Sequence, residues 1–191
     1  MNKYRGFNNL VLVLITTLII IFLLDFSLNH QIKEIFGLNP GEYYRFWTVL
    51  TVNLVHGGLL HLFFNCFFLY ILSKIYLSIP GKATTYWVVL AATGILSGIV
   101  TMIFASPGTS HVGISGAIFG LMGYAFFAFK DLPGSKARQM RREIGTVLFV
   151  NLLITFIMPF ISVTGHIGGL IAGIVLYYLM SYSYRTWYIG N

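Results

Sequence analysis

Residues 10–24 read LVLVLITTLIIIFLL, a run without a single charge. Runs of this kind recur along the chain and decide what it can fold into. Hydrocarbon offers no partner to a backbone N–H or C=O, so only helices and closed barrels cross it. Barrel strands alternate apolar and polar residues, whereas these runs are continuous. The 191 residues are 57% hydrophobic and 9% charged, against about 25% charged in soluble domains. The expectation is an all-α, polytopic membrane protein.

Lys3 and Arg5 precede the first run, as in a signal peptide. The run is long for a cleavable signal, and DFSLNHQ follows it in place of a small-x-small site, so it reads as a retained span. Six spans are predicted, at 9–28, 58–79, 84–106, 115–130, 143–161 and 165–184. A span needs about 20 residues, so the short fourth suits a helix that starts below the membrane surface. Ten basic residues (Lys3, Arg5, Lys74, Lys82, Lys130, Lys136, Arg138, Arg141, Arg142 and Arg185) fall on one side and only Lys33 and Arg45 on the other. Positive charge marks the cytoplasmic side, which predicts both termini in the cytoplasm and the plasma membrane as location. The net charge of +7 is thereby assigned to loops, with no nucleic-acid partner expected. The external connection 29–57 is too polar to span. It is predicted to lie in the interface as short helices, with Tyr43, Tyr44, Phe46 and Trp47 at headgroup level.

Polar side chains inside a span are expensive and therefore informative. His56 and His61 flank the start of the second span, and Asn65 shares a helical face with His61. Ser115 opens the fourth span and His166 the sixth. The fourth carries Gly116, Gly120 and Gly123; the sixth carries Gly165, Gly168, Gly169 and Gly173. Small residues at such spacing let helix backbones approach closely. Packing of these two faces would bring Ser115 beside His166. A serine needs a base to become a nucleophile. None of the five acids (Asp25, Glu34, Glu42, Asp131, Glu143) lies on the helices of that pair, so a dyad is expected, with packing and an aromatic ring orienting His166. The Ser115 amide at a helix start, with Asn65 and His61, could bind a developing oxyanion. Cys66, the only cysteine, reads as packing.

Taken together, HGGLLHLFFN (56–65), GISG (113–116) and GHIGGLIAG (165–173) resemble the rhomboid intramembrane serine proteases over roughly residues 8–184. The resemblance implies a single membrane domain over 1–191, a rhomboid-like bundle in its minimal six-span form. It implies Ser115 as nucleophile, His166 as general base, and His61, Asn65 and the Ser115 amide as oxyanion donors. His56 is implied as a supporting residue, and Gly113 and Gly116 as the glycines that shape the site. In YYRFW (43–47), Arg45 keeps the family's Trp-Arg pair while Tyr44 replaces its tryptophan. Phe119 sits where some members stack a tyrosine on the histidine. Substrates would be transmembrane segments cut near the external face in the lipid bilayer. They would enter between the second and fifth spans, under a mobile cap made of MPF (158–160) and SVTG (162–165). No metal or other cofactor is implied.

Three rivals stand beside this reading. His56, His61, His111 and His166 all lie on the external side and could ligate zinc, although no HExxH is present. His111, four residues before Ser115, competes as its base, although a loop position favours a solvated role. A non-catalytic relative that binds membrane helices would be expected to lack the serine or the histidine. A transporter would want charged or broken helices in related halves, and neither is found.

Overall fold

Helices account for every long element in the computed structural model, which describes residues 5–77 and 83–189, with only the backbone of Arg5, Ala83 and 182–189. Of the charges used to assign sidedness, Lys3 and Lys82 and the side chains of Arg5 and Arg185 lie outside the described residues. The first long run becomes α1 (Arg5–Ser27). Val11 and Leu18 of α1 are buried, while Leu12, Val13, Ile20 and Leu23 are exposed, as on a helix at the rim of a bundle. Asn29 and His30, both in the left-handed region, turn the chain into α2 (Gln31–Phe36). The buried Asp25 holds that corner: its carboxylate bonds His30 Nδ1 at 2.9 Å and accepts the Lys33 amide at 2.7 Å.

The connection that follows is short-helical, as expected for an interfacial segment: a 3-10 turn at Tyr43–Arg45, α3 (Thr48–Thr51) and a second 3-10 turn at Val52–Leu54. Tyr43, Tyr44 and Phe46 are exposed. Arg45 ties the segment together. Its guanidinium donates to Glu42 at 2.6 Å and to the carbonyls of Glu34 and Ile35 at 2.5 and 2.6 Å.

Next come α4 (Leu59–Leu77), α5 (Ala83–Phe104), α6 (Ser115–Ala128), α7 (Ser135–Ile157) and α8 (Val163–Ile189). By length and composition α1, α4, α5 and α8 are long and apolar enough to cross a membrane, and α6 is a shorter apolar helix. The chain is an integral membrane protein. The short α6 lies at the centre, with Gly116 to Ala125 all buried. A helix that is apolar all round belongs inside, and α5 and α8 pack most extensively against this one. Buried tyrosines tie the layers. Tyr76 of α4 donates to the Leu121 carbonyl of α6 at 2.9 Å, and Tyr86 of α5 donates to the Leu69 carbonyl of α4 at 3.1 Å.

The α6–α8 seam is closed by glycine. A methyl on Gly169 would stand 1.9 Å from the Gly116 carbonyl oxygen, and one on Gly173 2.0 Å from that of Gly120. Backbone meets backbone there, as the spacing predicts.

Helix bounds depart from expectation by a few residues at several ends, and the fifth span departs most. The helix predicted at 143–161 begins at Ser135 and ends at Ile157. Its start lies eight residues earlier because SKARQMRR, though too charged for hydrocarbon, is rich in good helix formers. Its end comes earlier because Met158, preceding Pro159, is pushed into extended backbone (φ −90°, ψ 114°). The predicted cap divides accordingly. Met158–Phe160 is non-helical and Phe160 is almost fully exposed, but Val163 already belongs to α8. Ser162 caps that helix, its Oγ accepting the Gly165 amide at 3.1 Å.

Candidate active site

Gly113 approaches the start of α6 with φ +108°, a conformation that favours glycine, and its amide donates to the Val52 carbonyl at 2.9 Å. Two residues later Ser115 opens the helix. Across the glycine seam His166 lies in the first turn of α8, 7% exposed. Ser115 Oγ and His166 Nε2 are 2.7 Å apart. The Phe119 ring, one turn below Ser115, stacks on the imidazole with centroids 4.2 Å apart and planes inclined by 20°. The stacked ring covers one face of the His166 imidazole.

The second span supplies the opposite wall. A methyl on Gly113 would meet the His61 ring at 2.6 Å and Asn65 Nδ2 at 3.3 Å. Glycine is therefore what lets His61 and Asn65 of α4 close on the turn before Ser115. Asn65 is buried, and its Nδ2 has no protein partner. His56 is buried beneath, its ring 5.2 Å from that of His61. Burial, with His61 second, pushes the His56 imidazole down to about 3; the Leu54 backbone opposes this weakly without reaching hydrogen-bond geometry. His56 is neutral at pH 7, as a buried supporting ring should be. A methyl on Gly116 would strike Ser97 Oγ at 1.9 Å. Ser97 in turn donates to the Gly165 carbonyl at 2.9 Å, fastening α5 to the start of α8.

Arg45 belongs to the short-helical connection before α4 and bonds none of these groups. His111 does not bond Ser115, nor is it the solvated loop residue the sequence suggests. Its Nδ1 bonds Ser162 Oγ at 2.9 Å and its Nε2 bonds Thr109 Oγ1 at 2.8 Å, while its backbone pairs with Leu38. Burial lowers its pKa. His111 thus ties the α5–α6 connection to the residue that caps α8. Among the described residues, which include His56, His61, His111 and His166, no three His, Cys, Asp or Glu side chains group as metal ligands.

The Rhomboid domain family model matches residues 43–183, which include His56, His61, Asn65, Ser115 and His166. The chain belongs to the rhomboid family. It is 34% identical over 146 residues to YdcA of Bacillus subtilis (strain 168), which is named as a candidate rhomboid protease; the match covers 75% of this chain and 70% of the relative. It is 34% identical over 145 residues to the rhomboid protease GluP of the same strain, covering 74% of this chain but 27% of that longer protein. An inactive RHOMBOID-like protein 8 of Arabidopsis thaliana is 32% identical over 134 residues, covering 69% of this chain and 37% of the relative.

In this rhomboid two site residues are invisible to sequence reasoning. Thr155 of α7 bonds His166 Nδ1 at 2.8 Å, and Ser97 anchors the backbone one residue before that histidine. Each is a lone hydroxyl in an apolar run, which ordinarily bonds back to its own helix. No spacing in the sequence distinguishes them.

Proposed function

We propose that this rhomboid is an intramembrane serine endopeptidase that cleaves transmembrane segments of other membrane proteins with a Ser115–His166 dyad. The observation that carries this reading is the 2.7 Å approach of Ser115 Oγ to His166 Nε2, within the 2.6–3.2 Å a general base requires.

Ser115 Oγ attacks the scissile carbonyl carbon as its proton passes to His166 Nε2. Negative charge gathers on the former carbonyl oxygen. The Ser115 amide, at a helix start with no intrahelical acceptor, is aimed at it with the positive end of the helix dipole. Asn65 Nδ2, a buried donor without a protein partner, and His61 complete the hole. Collapse of the tetrahedral adduct breaks the C–N bond, and His166 returns its proton to the leaving amine. Water, deprotonated by the same imidazole, then releases the acyl group.

The reading extends to the whole molecule: one domain of six spans in the cell membrane, both termini cytoplasmic, and substrate entering laterally between α4 and α7. These two helices scarcely touch, which is consistent with an entrance there. The kinship with an inactive relative keeps a binding-only reading in view, but a chain bearing both dyad residues in contact favours catalysis.

The test is incubation of the purified protein in detergent with a model transmembrane substrate. Cleavage is expected, lost in Ser115→Ala and in His166→Ala, with EDTA without effect and a fluorophosphonate attached to Ser115. Cleavage that survives Ser115→Ala would end the serine-protease reading; loss of cleavage to EDTA would revive the zinc one. Asn65→Ala should lower kcat by roughly 10²–10³-fold, as for loss of one oxyanion donor.

A further inference from the structure

A further polar group reaches His166 from α7, a helix that carries neither dyad residue. Thr155 lies on α7, 1% exposed, near the helix's external end. Its Oγ1 stands 2.7 Å from the Asn151 carbonyl oxygen and 2.8 Å from His166 Nδ1. A hydroxyl has one proton, and a carbonyl oxygen can only accept. If that proton pointed at His166, two oxygens would face each other at 2.7 Å with nothing between them. The proton therefore lies toward Asn151, and the Thr155 oxygen accepts from His166 Nδ1–H. A neutral imidazole protonated at Nδ1 has its lone pair at Nε2, the atom 2.7 Å from Ser115 Oγ.

We propose that Thr155 is a positioning residue that fixes His166 in the Nδ1–H tautomer, so that the free lone pair always faces the serine. This rests on the protease reading for its catalytic consequence but not for its geometry. Thr155 does here what a carboxylate does in a triad, orienting the ring and selecting the tautomer, without bringing a buried charge. It complements Phe119. The stacked ring restrains the imidazole plane, and the threonine restrains rotation within that plane and determines which nitrogen is protonated.

The bond also crosses from α7 to α8, two helices with little other contact. A displacement of α7 large enough to admit a substrate helix would carry the acceptor away from Nδ1. The base is held in its reactive form when α7 lies against α8.

Two measurements test this. The first is independent of activity: nitrogen NMR of 15N-histidine-labelled protein in micelles, with His166 assigned by its absence in His166→Gln. A protonated Nδ1 and an unprotonated Nε2 are expected in the native chain. An Nε2–H tautomer would overturn the proposal. The second is kinetic. Thr155→Val keeps the shape, leaves the Asn151 carbonyl its helical amide partner and strands Nδ1–H. It should lower kcat about tenfold, the scale of one buried unsatisfied donor, with KM nearly unchanged, whereas Thr155→Ser should stay within about twofold of native. Native kcat in Thr155→Val, or an equal loss in Thr155→Ser, would overturn it. A misfolded valine variant would leave the serine variant and the NMR spectrum to decide. If Ser115→Ala still cleaves while the native spectrum shows Nδ1–H, the protease reading fails and the tautomer assignment stands.

Discussion

His56 shows how a single buried side chain makes this protein sensitive to pH. Its imidazole is held down to about 3 by burial and by His61, against about 6.5 in an unfolded chain. Between those values the unfolded state binds a proton that the folded state refuses, so stability falls as pH falls from about 6.5 toward 3 and is unaffected above about 7.5. Thermal unfolding followed in detergent from pH 8 to 4 should show that decline, and His56→Phe should make it shallower, with His111 contributing in the same direction. An unchanged slope in the variant would place the sensitivity elsewhere. Not every such role could be read beforehand. Ser115, His166 and their glycines were legible because a hydroxyl, an imidazole and small residues at one depth in hydrocarbon are costly and few. Thr155 and His111 were not. Each acts through a partner distant in sequence, Thr155 on His166 and His111 on Ser162. Only the packing of α7 and of the loops brings those pairs together.

Among the helices, α6 and α8 are the most closely packed pair, whereas α7 makes little contact with α8. The glycine seam makes the first statement testable. Gly169→Ala would place a methyl 1.9 Å from a backbone oxygen that has no side-chain freedom to yield. We expect it to cost about 1–3 kcal/mol, read as a lowered unfolding midpoint, and to reduce cleavage by separating Ser115 from His166. Gly6→Ala, which meets nothing within 4 Å, should leave both unchanged. Equal behaviour of the two variants would remove the seam from the account. Helix existence was legible from apolar run length. The ends of α7 were not, because hydropathy marks where a chain can sit in lipid, whereas helix propensity and Pro159 decide where the helix itself starts and stops.

On the proposed reading, the protein as a whole divides into a closely packed centre and an entrance between α4 and α7. Cysteines placed at facing positions of α4 and α7, in a chain with Cys66 replaced, should on crosslinking block cleavage of a transmembrane substrate while fluorophosphonate still labels Ser115. Cleavage undiminished by the crosslink would move the entrance elsewhere. The bundle was legible in outline from its apolar runs, because length and hydropathy alone decide which helices can cross a membrane. One consequence follows for how such a molecule can diversify. Where Gly169 and Gly173 rest on the Gly116 and Gly120 carbonyls, the two central helices have no spare volume in which to vary. On the proposed reading, selectivity between one target and another is written on the surfaces of α4 and α7, around a seam that stays constant.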